Sequence, residues 1–171
     1  MYVRHTLSLF LIMGVEDWNW RHPVELQNVP WDCAAASTAW ALQACGHPYT
    51  EAQVVAGLGP TRISPTYGLL DASGMGIVEW LAEIGITAEN DSAASWTELT
   101  DSAGYQPMVM GGRAWCHWTG LRISSVVFGA DLEPLLALAN PSPGWQGVDQ
   151  VLDLEQFAEL GPFSAVWLTS W

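Results

Sequence analysis

The chain has no lysine. Its 171 residues carry 5 cationic side chains, all arginine, against 18 Asp and Glu, for a formal net charge of −13 with histidine neutral. Nucleic-acid binders neutralise phosphates with Lys and Arg, so this balance excludes that function class. It disfavours an anionic membrane surface for the same reason. Cysteine is scarce as well. The 3 present are Cys33, Cys45 and Cys116, an odd number without C-x-x-C spacing, which fits neither a disulfide framework nor a zinc site. Cys45 lies 12 positions after Cys33, so on one helix the two are roughly 18 Å apart, well beyond the ~7 Å that a disulfide tolerates. Free thiols point to a reducing compartment, and a cytoplasmic location is expected. No internal repeat or low-complexity tract occurs. Long hydrophobic runs are missing too. The longest candidate, Leu7 to Val15, follows Arg4 and His5 and is far short of the ~20 residues that span a bilayer. It passes straight into Glu16 and Asp17 with no small-x-small cleavage site. Residues 1–20 therefore read as a packed N-terminal arm, with an export signal as the alternative, and residues 21–171 as one domain.

What is present is a sizeable core. Half of the residues are hydrophobic and only 13% are charged, which suits a globular domain and not an acidic disordered tail. Eleven Trp stand out; most such rings are core, though some can line a groove. Helix signals occur at four places. Asp32 is an N-cap candidate for the Ala-rich run Cys33 to Ala44, which Gly46 and Pro48 end. Thr50 with Gln53, and Asp153 with Gln156, have capping-box spacing. Ile77, Trp80, Leu81 and Ile84 recur at helical spacing over Gly76 to Ile84, stopped by Gly85. Short apolar runs bounded by Gly, Pro, Ser or Asn predict strands at Pro107–Met110, His117–Ile123, Val126–Phe128, Leu135–Ala139 and Phe163–Thr169. Helices first, then a mostly antiparallel sheet with one late helix, is an α+β arrangement.

A cysteine at a helix N-terminus occupies a chemically loaded position. Free N–H groups and the positive end of the helix dipole stabilise an anion there, so the sequence predicts a lowered pKa for the Cys33 thiol. The bland alternative is a small buried hydrophobe. Gln27 lies six residues earlier, within reach of the helix start, where its amide and the Cys33 backbone N–H would make a two-donor oxyanion hole. His117 opens a strand, and Asn140 follows the run Leu135–Ala139 just before Pro141. A base and an orienting amide on neighbouring strands, facing a nucleophile on a helix, have the geometry of a Cys-His-Asn site. Ser37 shares the Cys33 face but lacks a G-x-S-x-G elbow, and reads as a surface or wall residue. Asp131 is an alternative orienting acid, placed in a turn.

Gln27, then Asp-Cys-Ala-Ala-Ala-Ser opening a helix, then Cys-His-Trp-Thr-Gly-Leu-Arg, then Ala-Asn-Pro-Ser-Pro-Gly-Trp, resembles the papain-like cysteine peptidases. Within them it is most similar to the bacteriocin-processing, double-glycine leader peptidase branch. The resemblance spans roughly Val24 to Leu168. It implies a papain-like α+β fold with Cys33 as nucleophile, His117 as base, Asn140 as its orienting residue and Gln27 as oxyanion donor. It implies no cofactor or metal, and a peptide or protein as substrate. Ala34 and Ala35 depart from the Gly and Pro that relatives carry after the nucleophile. A transporter domain is not part of these 171 residues, which points away from leader processing coupled to export. Trp31, Trp115, Trp118 and Trp145 each lie near a site residue and are candidates for an aromatic substrate cleft. An inactive peptidase-like binding module, or another cysteine acyl enzyme such as an amidase, murein endopeptidase or transglutaminase, remains an alternative.

Charge is unevenly placed along the chain. Of the 18 acids, 6 fall between Glu79 and Asp101 and 6 between Asp131 and Glu159, with none from Gly104 to Ala130. From Gln27 to Gln43 the only charge is Asp32. The sequence thus predicts a solvated acidic exterior around a nearly acid-free seam, with weak, salt-sensitive steering of cations.

Overall fold

In the computed structural model, described over residues 26–102, 108–112, 117–128, 134–142 and 150–170, an Ala-rich helix runs through the middle of the molecule. This helix, α1 (Cys33–Ala44), has 11 of its 12 residues buried. A helix apolar on all sides belongs in an interior. Its few polar groups are satisfied there: Ser37 Oγ donates to the Trp118 carbonyl at 3.2 Å, Thr38 Oγ1 to Ala34 O at 2.7 Å, and Gln43 Nε2 to Tyr49 O at 2.9 Å. Ser37 is therefore an interior tie between α1 and the sheet, where the sequence suggested a surface or wall residue.

Two further helices pack with α1. The first, α2 (Glu51–Leu58), starts with the expected capping box, Thr50 accepting from the Gln53 N–H and Gln53 accepting from the Thr50 N–H. A two-stranded hairpin, β1 (Ile63–Ser64) and β2 (Gly68–Leu69), leads to α3 (Met75–Glu83). The left-handed Gly74 precedes α3. Beyond it come β3 (Thr87–Ala94), α4 (Trp96–Ser102), β4 (Met108–Gly112), β5 (His117–Phe128), β6 (Pro134–Ala139), β7 (Gln150–Leu152), α5 (Leu154–Leu160) and β8 (Phe163–Ser170). Asp153 and Gln156 form the expected box at the start of α5.

The larger sheet has the order β3-β8-β4-β5-β6-β7, with every pairing antiparallel. Strand alternation divides its apolar residues between two cores. Ala139, Val166 and Leu168 face the cluster built on α1, α2 and α3. Leu136, Leu138, Phe163 and Ala165 face a second cluster with Leu99 of α4 and Phe157 of α5. The α+β class is thus as expected, with differences in detail. β5 is one strand where the sequence suggested two, and its pairing with β6 breaks register between Leu121 and Val126. Both β3 and α4 were missing from the expected elements.

This topology creates one site. β5 and β6 are antiparallel neighbours, with Gly120 opposite Ala139, so the first residue of β5 meets the residue just after β6. Gly120 also lets α1 approach closely: a Cβ there would lie 2.5 Å from the Trp40 ring.

Candidate active site

Cys33 is the first residue of α1 and is 8% exposed. Burial pushes its thiol above the ordinary value, and backbone N–H groups of Trp118, Ala34 and Cys33 itself pull it partly back. This corrects the lowered pKa expected from the helix N-terminus. The helix end does supply donors, but desolvation of the charged form outweighs them. Asp32 adds to the rise through its charge. Asp32 is indeed the N-cap residue, yet its side chain makes no capping bond. Its carboxylate instead accepts from the Val29 N–H at 3.4 Å.

His117 and Asn140 are brought together at the strand ends. Nε2 of the histidine lies 2.8 Å from Asn140 Oδ1. The Ser142 N–H donates to the same oxygen at 3.0 Å, which fixes the amide orientation with its carbonyl toward the ring. A carbonyl oxygen only accepts, so Nε2 carries the hydrogen, and in the neutral ring the lone pair is on Nδ1. Burial holds the His117 pKa below the usual histidine value, with the Asn140 bond opposing. Asn140 itself is fully buried. The residue after His117, Trp118, provides the backbone N–H that reaches the Cys33 sulfur.

Gln27 is 6% exposed and tied at both ends. Its backbone N–H donates to Pro141 O at 2.8 Å, beside Asn140. Its side-chain Nε2 donates to Val29 O at 2.8 Å, while Oε1 is buried with no hydrogen-bond partner among the described residues. Gln27, Asn28, Val29, Pro30, His117 and Ser142 line one cavity of about 360 Å³. Among the tryptophans proposed for the cleft, Trp31 is half-buried and packs against the first core. Trp118 is 8% exposed, with its ring over Gly111 and Gly74. It is part of that core, and it is not among the residues lining the cavity. Trp115, Trp145, Cys116 and Asp131, like the N-terminal arm, lie outside the described residues.

No protein-family model matches the sequence, and no curated protein matches it. Solved structures do match. A double-glycine motif protease from an AMS/PCAT transporter, in complex with the leader peptide, superposes with a TM-score of 0.64 at 18% identity, over 90% of this chain and 96% of that one. The peptidase domain of Streptococcus ComA, a bi-functional ABC transporter involved in a quorum sensing pathway, gives 0.63 at 20% identity, over 88% and 100%. That of Streptococcus mutans ComA gives 0.51 at 18%, over 86% and 98%. The fold is that of the papain-like cysteine peptidases.

Within this papain-like fold, one feature beside Cys33 had no counterpart in the sequence reading. Glu51, the first residue of α2, is 4% exposed. Its carboxyl oxygens accept from Asn28 Nδ2 at 2.8 Å and from the Asn28 N–H at 3.1 and 3.3 Å, and Asp32 lies within hydrogen-bonding reach. Burial, then Asp32, raises the Glu51 pKa to about 7. The expected acid-free seam therefore holds two buried carboxyl groups, because α2 carries Glu51 back to the start of α1. Sequence position alone hides this, since Glu51 lies 18 positions after Cys33.

Proposed function

We propose that this chain is a cysteine peptidase acting through Cys33, His117 and Asn140, with Gln27 and the Cys33 backbone N–H as oxyanion donors. The observation that carries the reading is the 2.8 Å bond from His117 Nε2 to Asn140 Oδ1, which leaves Nδ1 as the basic nitrogen. The next residue in the chain, Trp118, gives its backbone N–H to the Cys33 sulfur, which supports pairing His117 with that thiol. With the thiol pushed up and the imidazole pushed down, the resting pair is neutral. Nδ1 of His117 takes the thiol proton as sulfur attacks the substrate carbonyl. The oxyanion is held by the Cys33 N–H and by the Gln27 Nε2 hydrogen that is not committed to Val29 O. The imidazolium then protonates the leaving amine, and the same nitrogen deprotonates the water that hydrolyses the thioester. Asn140 keeps the ring in its productive tautomer throughout.

Peptide is the substrate class this reading takes, in line with the leader peptide bound in one structure of like fold. Of the two candidate tryptophans among the described residues, Trp31, next to the cavity-lining Pro30, is the better placed to flank a bound chain. Incubation of the purified chain with a peptide library, with Cys33→Ala as control, tests the proposal. Peptide cleavage that disappears in Cys33→Ala supports it. A second reading, a peptidase-like binding module, draws support from the burial of Cys33 and its raised pKa. Iodoacetamide separates the two. An active site requires Cys33 alkylation faster than that of Cys45, whose thiol burial pushes up to about 12, and loss of that advantage in His117→Ala. Equal rates and no cleavage favour the binding module.

A further inference from the structure

Five residues, Asn28 to Asp32, connect the oxyanion donor to the nucleophile, and their two ends meet at one carboxyl pair. Asn28, adjacent to Gln27, donates both its backbone N–H and its side-chain amide to Glu51. Asp32, adjacent to Cys33, faces the same Glu51 carboxyl and accepts from the Val29 N–H. The far side of Gln27 is fixed to Pro141. Asp32 and Glu51 are 2% and 4% exposed. Burial and the facing Asp32 both disfavour the charged form of Glu51, so Glu51 holds its proton well above the ordinary carboxyl range.

From this geometry we infer that protonated Glu51, bonded to Asn28 and facing Asp32, forms a clasp that sets the position of Gln27 against Cys33, making Glu51 a positioning residue of the oxyanion hole. The inference rests on the peptidase reading above for its catalytic meaning, though not for the existence of the clasp. The protonated member donates to its partner, while the remaining oxygens accept from Asn28. Removal of the proton leaves two facing carboxylates, which push the starts of α1 and α2 apart and displace the Asn28 that Glu51 holds. The titratable group facing Glu51 from α1 is Asp32, and Asn28 faces it from the loop; the N-terminus of α2, on which Glu51 sits, contributes only its dipole.

Carboxyl-carbon NMR of the full chain, labelled at Glu and Asp, tests the clasp, and the pH profile of peptide hydrolysis tests its role. The clasp gives a Glu51 carboxyl titration near pH 7 that Glu51→Gln removes. A Glu51 carboxyl that titrates in the ordinary acid range overturns it. In turnover, wild type should lose kcat as pH rises through that midpoint. Glu51→Gln, whose amide accepts from Asn28 and donates to Asp32, should match wild type below it and lose the alkaline limb. Asp32→Asn should also lose that limb. Glu51→Ala should lower kcat roughly ten- to a hundredfold with KM little changed, the signature of misplacement and not of lost binding. An alkaline limb that persists in Glu51→Gln overturns the positioning role even if Glu51→Ala fails to fold. Absence of cleavage by wild type at every pH, with the NMR titration present, sinks the peptidase reading while the clasp itself stands.

Discussion

Gly120 is the point at which the central helix rests on the sheet, and Gly120→Ala measures how tightly. The added Cβ would sit 2.5 and 2.9 Å from two atoms of the Trp40 six-membered ring and 3.2 Å from Ala139 Cβ. Real Cβ contacts do not fall below 3.0 Å, so the ring or the helix must move. Trp40 is 2% exposed and Ala139 fully buried, so neither has room to yield. Replacing Gly by Ala in a strand would otherwise gain ~0.5–1 kcal/mol through lower unfolded-state entropy. Overpacking costs about 1–3 kcal/mol, so the steric loss wins. With a urea m-value of ~2 kcal/mol/M, a net loss of ~1–2 kcal/mol lowers the midpoint by roughly 0.5–1 M. Because Cys33 begins the displaced helix, kcat should fall further than stability alone explains. Trp40→Leu removes the obstructing ring, and in that background Gly120→Ala should cost little, a coupling of ~1–2 kcal/mol by double-mutant cycle. An unchanged midpoint, or the same loss with and without the Trp40 ring, would refute this account of the contact.

Two further predictions concern the titrating groups. Asn140→Ala removes the acceptor of His117 Nε2 and should lower kcat roughly ten- to a hundredfold. Asn140→Asp keeps an acceptor and adds a negative charge, which favours the imidazolium and should move the acid limb of the pH profile upward; a limb that stays in place argues against His117 as the titrating base. Glu51 has a folded pKa of about 7 against an ordinary 4.5, so its protonated form stabilises the fold. That contribution is complete below the unfolded value and is lost as pH rises through the folded one, a fall on the order of 1–3 kcal/mol. His117, with its lowered pKa, contributes in the opposite sense. The difference in unfolding free energy between wild type and Glu51→Gln, followed from pH 4.5 to 7, isolates the Glu51 share. A difference that stays flat across that range would contradict the raised pKa.

The parts of this protein that were legible from sequence are those written in local patterns. The capping boxes at Thr50 and Asp153 satisfy helix ends with side chains only three residues away, so their spacing alone announces them. The same pattern at Ser95 and Glu98, where each side chain accepts from the other's backbone N–H, starts α4 and could have been read in advance. β3 could not. Its sequence Thr-Ala-Glu-Asn-Asp-Ser-Ala-Ala has no apolar alternation, because it is a mostly exposed edge strand held by its pairing with β8. The meeting of His117 and Asn140 was legible because each sits at the boundary of an apolar run, and antiparallel neighbours bring such boundaries together. The Cys33 ionisation was not legible, since desolvation is a property of everything packed around the sulfur. Trp118 follows the same rule: sequence places it beside His117, while the facing glycines, Gly111 and Gly74, draw its ring into the core.

The burial of α1 has a consequence for how this site can change. Most catalytic groups sit on surface loops that drift without disturbing the scaffold. Here Cys33 is anchored at one end of a helix with 11 of its 12 residues buried, while Asn28, Val29 and Pro30, which line the cavity together with His117, are exposed. One side of the site is thus cast in the core; on the other, Asn28 is tied to Glu51, which leaves the exposed side chains of Val29 and Pro30 free to vary. Substitutions along α1 change foldedness and reactivity together, so the helix leaves little room for adaptation. New specificity has to come from the loop that faces it.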